Sequence, residues 1–259
     1  DTFINLLNNI REGHATAADL QRLNRQCQPA FQPETGSDYI RLTTHNRMAE
    51  SYNEEQLRNL PSKACTFRAE TDGNFPEYSY PADFNLTLKK GAQVMFIRND
   101  NNGRYYNGRI GHVTYVDSSK IVVLCPGDDE AIEVEAETWE NTKYTLNERT
   151  KQIEAEVQGT FRQYPLRLAW AITIHKSQGL TFEHAIIDAQ AAFASGQVYV
   201  ALSRCKTLEG LVLASPISSQ AIINDSRVSD YIFHQTEQAA RSIQALPALK
   251  EEYYRQLLI

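Results

Sequence analysis

Cysteine is sparse in this 259-residue sequence: Cys27, Cys65, Cys125 and Cys205, with no C-x-x-C pair and no histidine at zinc-ligand spacing. That argues against a disulfide framework and a structural metal site, and it points to a reducing, cytoplasmic setting. No apolar run approaches the roughly 20 residues that a membrane helix needs, so no membrane partner is expected. Cations are outnumbered, with 26 Lys and Arg against 32 Asp and Glu and a net charge of −6. A uniformly basic nucleic-acid surface is thereby excluded, although a local stripe of donors is not. No glycine is followed by lysine, so the phosphate loop G-x-x-x-x-G-K-[ST] is missing. No strand ends in an acidic residue suited to holding magnesium, and no protein-bound metal is expected. The opening DTFINLLNNIREG has neither the basic end nor the apolar core of a secretory signal. Asp1 in the place of an initiator methionine is expected of a partial sequence.

What is present divides by texture. Phe3, Leu6, Leu7 and Ile10 recur at helical spacing up to Gly13, and Thr16 with Asp19 forms a capping pattern before Leu20, Leu23 and Cys27. Two helices therefore open the chain. A strand over Tyr39 to Thr43, a polar turn, and a helix ending before Pro61 follow. Strand, turn and helix in this order build a parallel α/β sheet. From about Leu86 to Gln163 the runs are short, strand-like and separated by NDNNGRYYNG, DSS and PGDD, as in a small antiparallel barrel. From Leu166 the α/β texture returns. RLAWAITI reads as a central strand buried on both faces, and HAIIDA and LVLASP as further strands. The expected division is one α/β domain from residues 1–87 and 166–259, interrupted by a barrel over 88–165.

Three segments carry chemistry. AITIHKSQGLTF places Thr173, His175, Lys176, Ser177 and Gln178 at a strand end, where open α/β sheets bind ligands. Their hydroxyl, imidazole and ammonium groups suit phosphate oxygens, and Gly179 lets the backbone turn sharply. In GQVYVALSRCKTLEG, helical geometry at ~100° per residue puts Arg204 roughly 120° from the stripe of Val198, Leu202 and Cys205. Arg204 is therefore expected to point away from the core, where a guanidinium can fork onto phosphate. RLTTHN sets Thr43, Thr44 and Asn46 at another strand end.

IHKSQGLTF is similar to helicase motif V and VYVALSRCKTLEGL to motif VI of superfamily 1, closest to the RecD-like branch that includes the petite-integration-frequency helicases. LTTHN resembles their motif IV region, LKKGAQVMFIRN with NGRIGHV the start of their inserted barrel, and FINLLNNIREG the segment after motif III. The resemblance extends to about Ser229. It implies a RecA-like (P-loop NTPase-like) α/β domain interrupted by a Src-homology-3-like barrel. It also implies the carboxy-terminal motor half of an ATP-dependent DNA helicase moving five-prime to three-prime, with ATP and Mg2+ held mainly by an amino-terminal RecA-like domain. Carried across residue by residue, Arg204 is the arginine finger, and Gln178 and Gly179 lie on the nucleotide side. Thr44, Asn46, Thr173, His175, Lys176 and Ser177 face single-stranded DNA or couple it to ATP. Without a phosphate loop the chain alone is expected to be inactive, and a cytoplasmic, nucleoid-associated bacterial protein is implied.

Plainer readings stand beside these. Thr173 and Ser177 can simply close the turn after their strand, and Thr44 and Asn46 can cap the next helix. Tyr105, Tyr106 and Trp139 can stack bases or complete a small core, and core is favoured. His45, His112 and His184 have no partners in metal-ligand register and receive no role. The rival to the motor is a non-catalytic DNA- or protein-binding scaffold derived from one. A subunit of a nuclease complex is disfavoured because no carboxylate cluster suggests nuclease chemistry.

Overall fold

The computed structural model describes residues 2–34, 36–146, 151–188, 196–222 and 226–257. Helix α1 (Thr2–Glu12) buries Phe3, Leu6 and Ile10. Helix α2 (Ala17–Asn24) is closed by the expected capping box: the Thr16 hydroxyl accepts from Asp19 N, and the Asp19 carboxylate accepts from Thr16 N at 2.9 Å. Strand β1 (Ile40–Thr43) leads into α3 (Asn46–Asn59).

Antiparallel pairing then starts earlier than the composition suggested. β2 (Cys65–Arg68) pairs with β4 (Asn85–Leu88), and β3 (Glu70–Gly73) pairs with β10 (Ile153–Gln163), which pairs in turn with β9 (Glu137–Leu146). A five-stranded sheet is formed by β5 (Gln93–Phe96), β6 (Ile110–Val116), β7 (Ile121–Leu124), β8 (Ile132–Val134) and β11 (Leu166–Leu168), in the order β11-β5-β6-β7-β8. The continuous run EAIEVEAETWE contains β8 and the start of β9. Antiparallel strands occupy Cys65 to Leu168 rather than 88–165, because CTFR and ETDG are too short and too polar to announce themselves as strands.

The parallel sheet has the order β12-β1-β13-β14, from β12 (Ala171–Thr173), β1, β13 (Ala185–Ile187) and β14 (Leu211–Leu213). RLAWAITI is therefore not a central strand. Its first half, β11, belongs to the antiparallel sheet, and its second half, β12, is the edge of the parallel one. Burial at this edge comes from α3. Asn53 is buried and pairs with both backbone groups of Ala171, each at 2.8 Å, in the position of a further strand. Gln93 bridges the two sheets, donating to Tyr39 O and Ala169 O at 2.9 Å.

One core packs Ile40, Leu42, Ile172, Ile187, Leu211 and Leu213 of the parallel sheet with α1 and the short helix α4 (Gln197–Leu202). Another packs Phe67, Leu86, Phe96, Val113, Ile121 and Leu166 of the antiparallel strands. Burying each such side chain contributes about 1.5–3 kcal/mol, so each body has the interior to hold its own shape. Tyr105 stacks on Phe96 at 4.0 Å and Trp139 packs edge-on against Phe161, as the core reading expects, whereas Tyr106 is exposed. The chain ends in α5 (Ser226–Leu257). Among the described residues no helix is long and apolar enough to cross a membrane, and no group of three potential metal ligands occurs.

Candidate functional site at the carboxyl edge of the parallel sheet

β1 and β12 run in parallel with Thr43 opposite Thr173, so the sequence segments at 43–46 and 173–179 share one edge of the sheet. The Thr173 hydroxyl, buried at this edge, accepts from Lys176 N at 3.3 Å, and its carbonyl accepts from Ser177 N at 3.0 Å. Ser177 is fully buried and donates its hydroxyl to Ile174 O at 2.7 Å. The turn-closing reading therefore describes both side chains, and the expectation that Ser177 faces DNA is corrected by its burial. His175, Lys176, Gln178 and Gly179 are exposed. Gly179 adopts φ +80 with open space where a Cβ would stand. The sharp turn expected there is present, and the backbone is accessible.

Lys176, Thr173 and Asn46 line one groove of about 410 Å³ between α3, β4 and β12. Thr44 donates to or accepts from His45 Nδ1 at 2.7 Å, and His45 is the residue before α3, which has no side-chain cap. Neither Thr44 nor Asn46 caps that helix, so the capping alternative falls away for both. The groove is mixed in charge: Glu50, Glu54 and Asp83 stand opposite Arg167 and Lys176. Partial burial and the neighbouring Arg167 lower the Lys176 pKa, while Glu50 and Asp83 oppose the shift.

Arg204 departs from its expected orientation. α4 ends at Leu202, so the helical projection does not reach position 204. The half-buried guanidinium folds back instead. It donates to Val200 O at 3.0 Å, Leu180 O at 3.1 Å and the Ser203 hydroxyl at 2.8 Å, and more distantly to Ser177 O at 3.5 Å. Backbone bonds from Phe182 N to Arg204 O and from Lys206 N to Phe182 O continue the link. Arg204 thus joins the segment after β12 to the segment after α4, though it lies outside the groove at Lys176. Asn53, which orients β12, was missed. A mid-helix asparagine carries no sequence signal for a backbone pairing 118 residues away.

The turn at 99–109 leans on the same loop, since a Cβ on Gly108 would run into Leu180. Asp100 organises this turn by accepting from the Arg104 guanidinium at 3.0 Å and from the backbone of Asn102 and Arg104. These donors hold its carboxyl at about 2. The folded value lies below the unfolded one, so this contribution is complete above about pH 4. It is lost as pH falls through about 2. Asp100→Asn should therefore lower the melting temperature at neutral pH, and the deficit should shrink between about pH 4 and pH 2. A deficit constant with pH in thermal melts would contradict this role.

The strand-end loop and Arg204 both lie within residues 168–212, which match the UvrD-like helicase C-terminal domain. The chain belongs to the Pif1 family of helicases. It is 35% identical to the human ATP-dependent DNA helicase PIF1 over 257 residues, which is 93% of this chain and 37% of that protein. Bacteroides Pif1 in complex with ADP-AlF4 superposes with a TM-score of 0.83 at 39% identity, covering 92% of this chain and 54% of that one. The ssDNA-bound Bacteroides Pif1 superposes at 0.68 with the same identity and coverage. The chain spans about a third to a half of the length of these relatives.

Proposed function

We propose that the chain is the carboxy-terminal motor half of an ATP-dependent DNA helicase. In this reading it supplies single-strand contacts through Thr44, Asn46, His175 and Lys176, with Thr173 closing the loop beneath them, and the arginine finger through Arg204. Its partner is an amino-terminal RecA-like domain of the same protein, which binds ATP and Mg2+, and the α/β body is the second RecA-like domain. The antiparallel strands are its Src-homology-3-like insert, and the protein works in the cytoplasm at the nucleoid. The observation that carries the reading is the Arg204 guanidinium bridging the loop at Ser177–Leu180 to the end of α4. One side chain on the nucleotide side is thereby mechanically joined to the strand-end loop on the DNA side.

The residues present fit a shared nucleotide site. Gly179 leaves its backbone open to close approach, Gln178 is exposed beside it, and Arg204 can exchange carbonyl acceptors for phosphate oxygens with little change in its own chemistry. ATP supplies the phosphoryl bond whose cleavage drives the cycle. This chain's residues bind, orient and transmit: Lys176 and Asn46 hold phosphates of the strand, Thr173 shapes the loop, and Asn53 fixes the strand beneath it. Ser177 acts from the interior, by holding the loop to Ile174.

The test is DNA-stimulated ATP hydrolysis by the full-length protein beside the 259-residue chain. Hydrolysis in the long form alone is expected, because backbone amides and a lysine must cradle the phosphates. Silence in both, with single-strand binding intact, would replace the motor with the non-catalytic scaffold.

A further inference from the structure

A second cleft, of about 300 Å³, opens between β1, α3 and the antiparallel strands, and it is lined by Tyr39, Arg41, Tyr52, His112 and Trp170. Because α3 begins beside the carboxyl end of β1 and runs back along it, Tyr52 and the residues after it lie towards the other end of the sheet. None of the proposed DNA or nucleotide contacts lies in this cleft. Buried polar nitrogens are almost always hydrogen-bonded. Here Arg41 Nε and His112 Nε2 are both buried, and neither has a partner.

No carboxylate pairs with Arg41 among the described residues. Its guanidinium lies instead over the Tyr52 ring, 5.0 Å from the centroid. Glu34, at the exposed rim, is the one carboxylate among the lining residues. The His112 ring is held by the Ser37 backbone and faces the charge of Asp38, so the hydrogen-bonding capacity left unused on the walls of this cleft is that of Arg41 Nε and His112 Nε2. Tyr39, Tyr52 and Trp170 offer the apolar and aromatic surface that small-ligand clefts use for a planar group. Burial holds the His112 imidazole below its usual pKa, and a bound anion would favour its protonated, donating form.

We propose that this cleft binds a small oxyanion carrying an aromatic or heteroaromatic ring, with Arg41 and His112 as the donors to its phosphate or carboxylate. Arg41 meets the anion through its guanidinium fork and His112 through Nε2, and both side chains turn towards the cleft to do so, because Nε and Nε2 are covered here. Tyr39 and Trp170 flank the ring.

The experiment is titration calorimetry and thermal melting of the 259-residue chain with adenosine 5′-monophosphate, benzoate and inorganic phosphate, at constant ionic strength made up with chloride. Saturable binding of the monophosphate or of benzoate is expected, with a raised melting temperature; which of the two binds tells a phosphate source from a carboxylate one. Arg41→Met should weaken that binding by about tenfold or more, as loss of a charge-assisted hydrogen bond does. His112→Asn should weaken it in the same direction, and it supplies the result if Arg41→Met does not fold. Arg204→Ala, at the other site, should leave it unchanged. Absence of saturable binding by both ring-bearing anions, or binding that survives both cleft substitutions or is lost with Arg204→Ala, would overturn the assignment.

Discussion

Arg204→Ala in the full-length protein is expected to reduce DNA-stimulated ATP turnover by about 10³ to 10⁵, the usual effect of removing an arginine finger from a phosphoryl-transfer site. Affinity for single-stranded DNA should fall much less, because the exposed donors Asn46, His175 and Lys176 are untouched. Some loss is still expected. The guanidinium donates to Leu180 O, so its removal loosens the loop that carries His175 and Lys176. Ser203→Ala separates the two effects: it removes the 2.8 Å bond to Nη2 but leaves the charge in place. Its turnover should drop only severalfold, in line with one neutral partner lost at about 0.5–1.5 kcal/mol. Arg204→Lys keeps a positive charge but not the fork, and should recover little. Turnover of Arg204→Ala within about threefold of wild type would make the arginine purely a tie between two loops.

The second large effect is on stability. Asn53→Leu removes the only described side chain bonded to both the N–H and the C=O of Ala171 at the open edge of β12. β1 cannot take over these groups. On that side of β12 the bonds are made by Trp170 O and Ile174 N, which pair with Arg41 N and Thr43 O at 2.8 Å. Two buried backbone groups left unpaired cost about 1–3 kcal/mol each, a large part of the 5–15 kcal/mol that holds a typical domain together. Denaturant melts of the isolated chain should show this as a midpoint shift with little change in slope. Asn53→Asp keeps an acceptor for Ala171 N and loses the donor, so it should fall between. A loss below about 0.5 kcal/mol for Asn53→Leu, the level of an ordinary surface change, would show that α3 covers the edge without holding it.

The sequence by itself determined the class of fold, the two opening helices with the cap on the second, the β1–α3 unit and the two segments at the site. These depend on local chemistry: periodicity places Phe3, Leu6 and Ile10 on one face, Thr16 and Asp19 close a helix end wherever it sits, and Gly179 makes a left-handed turn that other residues resist. The family was legible for the same reason, since IHKSQGLTF and VYVALSRCKTLEGL are continuous in the chain. The tertiary structure alone decided what depends on distant partners. RLAWAITI is apolar throughout, and only pairing with β5 and β1 could divide it into strands of two different sheets. The helical projection of Arg204 was sound up to Leu202, but the chain leaves the helix there and the guanidinium is captured by carbonyls from a loop more than 20 residues earlier. Ser177 turned inward because Ile174 O required a donor, and Asn53 acquired its role only once β12 was left as an edge. Arg41 and His112 were unremarkable in the sequence, because the absence of a hydrogen-bond partner is a property of assembled surfaces and not of either residue.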